Sequence, residues 1–318
     1  MPITPADIRN SVLLSVATVA ASILMLNANA TIIAIPVVAF ALGWITYRFG
    51  TLQAAVVALT AGVVVSVLGP VLFGSTVLDG AYVAVCLLAA GPVSATLLRR
   101  YPAVNVAAGI ALVMTAAFLV APIGAETLKA SLAAMTGLVS SITGGSVSDA
   151  AAVKAAAQTV IAQTAATWPA SVFYTLGFGT AIGVAFTARA GRALGQQVSR
   201  YGALADLDLS FHLVWPTIAG LGFAAAGTLW SKAPVLLGQV GTNALLIVRP
   251  LLFLQGVAVF AALYRRMGAG KVAKTVGLVL LTLTELFVPS VSVVGMADLF
   301  ANLRRLPRGN EAAPGPIL

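Results

Sequence analysis

Arg249 is a lone basic residue inside a long apolar run, and Glu285 lies deep in the next one. A bare arginine in hydrocarbon costs at least about 2.5–3.5 kcal/mol, so its guanidinium must meet a carboxylate, a carbonyl or water. At about 1.5 Å per helical residue, Arg249 lies roughly 24 Å from Arg265 along its segment, and Glu285 roughly 16 Å from Lys274 along the following one. The heights differ by less than about two turns, so the side chains can meet. Asn243 and Gln255 add polar atoms nearby, and Pro250 frees a backbone carbonyl beside Arg249. The sequence therefore predicts a buried polar centre built by the last three membrane segments. Two chemistries fit it: a ligand or ion site, or a structural ion pair that fixes helix packing.

Other reactive constellations are absent from the sequence pattern. The nine acidic residues are scattered, no serine has evident His and Asp partners, and neither catalytic nor metal-ligating residues group together. No cofactor is implied, and the chain reads as a non-enzyme. Cys86, the single cysteine, lies in an apolar run and reads as packing. His212, the single histidine, reads as an interfacial polar residue, with Asp206, Asp208 and Ser210 capping the helix that follows and Trp215 anchoring it. Gly268-Ala269-Gly270-Lys271 fails as a phosphate loop, because Arg265 stands where the first Gly is needed and Val272 where Ser or Thr is needed.

The elements that must position these residues are membrane spans. The chain is 60% hydrophobic and 8% charged, with mean hydropathy +1.02, a composition solvated by lipid rather than water. Its net charge of +9 would suggest nucleic acid in a soluble domain, but the basic residues are spread as topology signals, so no nucleic-acid partner is expected. They fall at every second break: Arg9; Arg48; Arg99 and Arg100; Arg189, Arg192 and Arg200; Arg265, Arg266, Lys271 and Lys274; and Arg304, Arg305 and Arg308. The intervening breaks carry only Lys129, Lys154 and Lys232. By the positive-inside rule the clustered side is cytoplasmic.

Spans of about 20 residues are predicted at 11–27, 31–48, 52–70, 78–98, 103–122, 168–188, 212–230, 240–264 and 272–288. Ala28-Asn29-Ala30 has the form of a signal-peptidase site, but the first apolar stretch reads as an uncleaved span with its N-terminus inside. Nine crossings would leave the C-terminus outside, whereas Arg304, Arg305 and Arg308 require it inside. Residues 290–303, after Pro289, reach only about 21 Å as a helix, which predicts a short or broken tenth segment. The fold class is thus an all-α polytopic transmembrane bundle. Its expected parts are a five-span membrane part (1–122), an extracytoplasmic helical hairpin (123–167), a second membrane part (168–303) and a basic, then Pro/Gly-rich, disordered cytoplasmic tail (304–318).

The hairpin is expected as helices Glu126–Ile142 and Asp149–Thr167, turning at Gly144-Gly145 with a capping box at Ser146-x-x-Asp149. It reads as plain packing more readily than as a lid. Two small-residue stripes, Ala17-x-x-x-Ala21 and Gly179-x-x-x-Gly183, are candidates for close helix docking, either within the chain or against a partner.

Several stretches in fixed order carry a family resemblance: Ile35-Pro36-Val37 through Tyr47-Arg48-Phe49-Gly50, Trp168-Pro169-Ala170-Ser171, Phe211 through Trp215-Pro216, Leu252 through Gln255-Gly256, and Val294-Gly295-Met296-Ala297-Asp298 with Arg304-Arg305. On these the chain resembles the YybS-like bacterial membrane proteins. That family is distantly similar to the substrate-binding subunits of energy-coupling-factor transporters, six-helix proteins that capture a small molecule outside and dock on a partner. The similarity applies to the first six spans, and Ala17-x-x-x-Ala21 has the form of their docking stripe.

The charge pattern puts both termini in the cytoplasm, and what the resemblance implies is a multi-pass protein of the bacterial cytoplasmic membrane acting as a small-molecule capture subunit. A separate membrane coupling protein with ATPase would energise it. The alternative is a non-transporting scaffold for cell-envelope or division machinery, whose partner would be an envelope complex. The lipid bilayer is a partner under either reading.

Overall fold

A computed structural model describes residues 3–26, 28–143, 150–198, 204–230 and 234–306. The described residues are helical with short connections and no strand, as lipid demands of a chain whose backbone groups must be satisfied within each segment. Eight helices are long and apolar enough to cross a membrane, and a bent pair of helices raises the number to nine if it is counted as one span. The chain divides into two compact units, 1–200 and 201–318.

The first unit contains α1 (Pro5–Leu24), α2 (Ala28–Phe49), α3 (Thr51–Phe73), α4 (Val77–Leu88), α5 (Ser94–Leu97), α6 (Ala103–Val120), α7 (Pro122–Thr143), α8 (Ala150–Ala166) and α9 (Trp168–Ala193). A π-helical turn, Ala89–Val93, joins α4 and α5 into one span. Pro92 has no N–H to continue the α-helical ladder, and in the same turn the Ser94 hydroxyl donates to the carbonyls of Ala90 and Gly91. On α3 the two faces separate cleanly: Ala54, Ala58, Ala61 and Val65 are buried, while Val63, Val67 and Val71 are exposed toward lipid. The core is centred on α2, which packs against α1, α3, α9 and the π turn.

The seam between α2 and α9 is built from small residues. A Cβ at Gly183 would stand 2.8 Å from the Ala39 Cβ, and one at Gly179 would stand 3.1 Å from the Ile32 carbonyl oxygen. Thr187 adds a hydrogen bond from its hydroxyl to the Ala39 carbonyl, 2.8 Å. Gly179 and Gly183 therefore dock α9 on its own chain. Ala21 is likewise buried, with Ala17 partly covered on the same helix. The division at 200/201 also differs from the expected boundary before Trp168, because α9 packs with α2 and α6.

The second unit contains α10 (Val214–Leu229), α11 (Val235–Arg266), α12 (Lys271–Phe287) and α13 (Ser290–Ala301), preceded by 3-10 turns at Leu204–Asp206 and Phe211–Leu213. The two segments expected as a ninth span and a broken tenth form one bent pair, with axes at 103°. The bend lies at Val288-Pro289, level with Arg249 of α11. Both limbs start and finish near the same end of α11: Lys271 follows its C-terminus closely, and Arg266 donates to the Arg304 carbonyl beyond α13 at 2.8 Å. The parity problem in the charge map is thus met by two limbs returning to one end.

Candidate functional site

Among the described residues, polar chemistry gathers in a cavity of the first unit and in two side-chain networks of the second.

The cavity encloses about 230 Å³ at the end of the first unit that bears the α7–α8 hairpin, opposite Arg48, Arg99 and Arg192. Four helices supply its walls: Thr31 from α2, Phe118 from α6, Thr127 and Ser131 from α7, and Trp168, Ser171, Val172, Thr175 and Leu176 from α9. Chain geometry explains the hydroxyls. Within helices, Thr127, Ser131, Ser171 and Thr175 donate to the carbonyls four residues earlier, at 2.6–3.3 Å. Their oxygens keep lone pairs and so face the cavity as acceptors. Trp168 adds an indole Nε1 that is buried and lacks a hydrogen-bond partner among the described residues. Among the described residues, no charged side chain lines the space.

Asp79 holds the base of this wall. One carboxylate oxygen closes a capping box with Thr76 at the start of α4, and the other accepts from the Ile123 N–H in the first turn of α7 at 2.8 Å. The residue is 2% exposed. Through that bond the hairpin is fixed where Thr127 and Ser131 reach the cavity, so α7 is part of its lining as well as a packed appendage. The expected turn and capping box at 144–149 lie outside the described residues.

In the second unit Arg249 and Glu285 meet as their spacing predicts, with Arg249 Nε 3.3 Å from Glu285 Oε1. The rest of the geometry shows what Glu285 is for. Its Oε2 accepts from the Val291 and Ser292 N–H groups at 2.9 and 3.2 Å, and Oε1 accepts from the Ser292 hydroxyl at 2.6 Å. Arg249 also donates to the Glu285 carbonyl at 2.8 Å. Glu285 thus caps α13 from across the Pro289 bend, supplying the acceptor that no local side chain provides. This favours the structural alternative over a ligand site.

Asn243 and Gln255 do not join that pair. Asn243 bonds the Gln239 carbonyl on its own helix at 2.9 Å. Gln255, fully buried, donates to Asp298 at 2.8 Å and to Asp208 at 3.1 Å, and accepts from the Leu209 N–H at 3.0 Å. The physical reason is helical phase and height: Gln255 is six residues beyond Arg249, about 9 Å nearer the end of α11. At that level it meets the segment before α10.

Arg304 completes this second network. It donates to Asp298 from Nε and Nη2 at 3.0 and 2.8 Å, to the Ala205 and Leu207 carbonyls from Nη1 at 3.0 and 2.6 Å, and to Asp208 at 3.4 Å. Asn302 makes the return possible by taking a left-handed conformation, φ 44°, at the end of α13. Arg304 is therefore a buried clamp as well as a topology charge. Asp206 and Asp208 serve as ion-pair partners rather than caps, while Ser210 does cap, accepting from the His212 N–H at 3.3 Å. The Arg265 guanidinium, donating to Asp206 at 2.7 Å, holds that exposed carboxyl below its usual range.

Residues 19–299 match the model of the family described as "Predicted membrane protein (DUF2232)". The chain belongs to that family. No curated protein and no solved structure matches it. Among the described residues, this family member has no group of three or more His, Cys, Asp or Glu side chains placed to hold a metal ion.

Sequence reasoning missed Asp79, Ser292 and Asp298, and it read Arg304 only as a topology charge. It also missed the cavity, whose hydroxyls are indistinguishable in sequence from ordinary serines and threonines in apolar helices. One signal was available: Trp168 and Ser171 sit together in a four-residue stretch that opens α9.

Proposed function

We propose that this chain is a YybS-like protein of the bacterial cytoplasmic membrane whose first unit captures a small uncharged molecule from the extracytoplasmic side, with a separate partner supplying energy. The observation that carries the reading is the hydroxyl-lined cavity at the hairpin end of a six-span unit. The basic clusters orient it: with Arg48, Arg99, Arg100, Arg189 and Arg192 inside, the cavity and hairpin face outward and both termini lie in the cytoplasm.

The lining selects the ligand class. Five hydroxyl oxygens accept, one indole N–H donates, and Phe118, Val172 and Leu176 give apolar contact. A charged ligand would lose hydration without gaining a counter-charge, which disfavours it strongly in such a site. A neutral molecule with donor groups and an apolar body fits, at the small end of ligand-pocket sizes. The sequence carries no nucleotide-binding loop, so energy would come from another chain.

Affinity purification of the full chain in mild detergent, followed by mass spectrometry of proteins and small molecules, tests the reading. A neutral metabolite together with an ATP-hydrolysing membrane partner is expected. Envelope proteins without any small molecule would overturn it in favour of a scaffold.

A further inference from the structure

The cavity of the first unit has its mouth on one face of α9. Among its lining residues, Thr31, Phe118, Val172 and Leu176 are buried and form the back wall, whereas Ser171 and Thr175 are exposed. Those two stand four residues apart on α9, and so on the same side of the helix.

Depth decides what the mouth opens on. α9 is long and apolar enough to span the membrane from Trp168 to Ala193. A tryptophan at the start of a span suits the headgroup level, and Arg189 and Arg192 mark the opposite end. At about 1.5 Å per residue, Ser171 lies roughly 5 Å and Thr175 roughly 10 Å below Trp168. In a hydrocarbon core about 30 Å thick, both belong to the leaflet on the hairpin side. The mouth therefore faces acyl chains rather than bulk water.

The same face continues inward. Tyr174, 42% exposed, and Phe178, 62% exposed, stand with Ser171 and Thr175 at helical positions i, i+3, i+4 and i+7. Phe178 lies roughly 15 Å below Trp168, near the middle of the bilayer. The stripe thus joins a hydroxyl-lined space at one end to aromatic surface at the other, over the depth of one leaflet. Ser171 and Thr175 donate to the carbonyls four residues earlier, which leaves acceptor lone pairs for a donor that arrives through the leaflet.

We propose that the occupant is a neutral amphiphile that enters sideways from this leaflet, with its hydroxyl-bearing head in the cavity and its chain along the Tyr174 and Phe178 face. The proposal rests on the capture reading and narrows its ligand to a molecule that partitions into lipid. A freely water-soluble molecule would have to shed its hydration and pass among acyl chains to reach the mouth, whereas an amphiphile brings its head to that depth already. A space of about 230 Å³ takes a compact head and leaves the chain outside.

Photolabelling of the full chain in phosphatidylcholine nanodiscs tests it. The probe is a monoacylglycerol with a diazirine in mid-chain, compared with the same molecule carrying a phosphate on its glycerol, and challenged with free glycerol. Crosslinks should map to residues 171–178 of α9, exceed those of the phosphate-bearing molecule roughly fivefold or more, and persist in excess glycerol. Thr175→Leu should reduce them about tenfold, whereas Val67→Ala, on the lipid-facing side of α3, should leave them unchanged. If Thr175→Leu fails to fold, Ser171→Leu at the other exposed position of the mouth carries the same comparison. Displacement by glycerol would overturn sideways entry and leave capture standing. Labelling spread evenly over lipid-facing helices, or insensitive to the mouth variants, would overturn the amphiphile, and a soluble metabolite recovered with the purified chain would then show that capture survives. Neither labelling at the mouth nor any recovered metabolite would overturn both.

Discussion

Arg304 points two of its nitrogens at one carboxylate oxygen of Asp298, at 3.0 and 2.8 Å, in a site where Asp298 is fully buried. Every N–H of the guanidinium is used, three toward carboxylates and two toward carbonyls. Removing one partner leaves the other charge buried and unpaired, which typically costs about 3–5 kcal/mol. Arg304→Ala should therefore lower the melting temperature in detergent sharply. Arg304→Lys should restore only part of it, because one ammonium cannot reproduce a planar fork. Full stability in the alanine variant would contradict the clamp.

Glu285 serves Arg249 and the start of α13 at once. A simple ion pair would tolerate exchange of its members, but an arginine at position 285 has no acceptor for the Val291 and Ser292 N–H groups. The double variant Arg249→Glu with Glu285→Arg is thus expected to stay destabilised, whereas Glu285→Gln retains an acceptor and loses less, about 1–3 kcal/mol. Thermal unfolding separates these outcomes, and recovery in the exchanged protein would mean that the cap is unimportant.

Close backbone approach fixes α13 against α11. A Cβ at Gly295 would collide with the Leu252 carbonyl oxygen, and one at Gly256 with the Val291 carbonyl oxygen. Gly295→Ala should cost at least about 1–3 kcal/mol through overpacking. Gly109→Ala, where a Cβ meets nothing within 4 Å, should be neutral or slightly stabilising in its helix. Similar melting temperatures for the two would argue against the tight seam.

Asp206 gives a pH signature. Its carboxyl is depressed by Arg265, so the pair contributes above the ordinary aspartate value of about 3.9 and is lost as pH falls through the lower folded value. Because both partners are exposed, the effect is small and screened by salt. Asp206→Asn should lower the melting temperature slightly at neutral pH and low salt, with the difference vanishing in acid. An effect that persists in acid would point to another role.

The helical membrane class and the spans were legible in the sequence because lipid enforces long apolar helices. The Arg249–Glu285 pairing was legible for the same reason: a charge in hydrocarbon must find a partner, and the helical rise limits which one. Gln255 was misassigned because rise alone does not give the rotational phase of α11, nor reveal that the 204–209 segment folds back onto it. Arg304 looked like any basic residue past a span, and only the left-handed turn at Asn302 brings it inward. The bend at Pro289 was signalled by proline and by charge parity, but the 103° angle depends on contacts that lie far apart in sequence. The cavity left only the Trp168–Ser171 stretch as a trace, since its hydroxyls come from three helices whose relative rotation is a matter of packing.

The most direct test of the capture reading fills the cavity and leaves the fold intact. Thr175→Leu, in the lining of the first unit, replaces an acceptor with apolar bulk, and small molecules extracted per mole of protein are compared by mass spectrometry between this variant and the parent chain. A neutral compound near one per chain in the parent, and depleted about tenfold or more in a variant of unchanged melting temperature, is the predicted result, tenfold being about 1.4 kcal/mol. Equal amounts in both proteins, or none in either, would contradict the account.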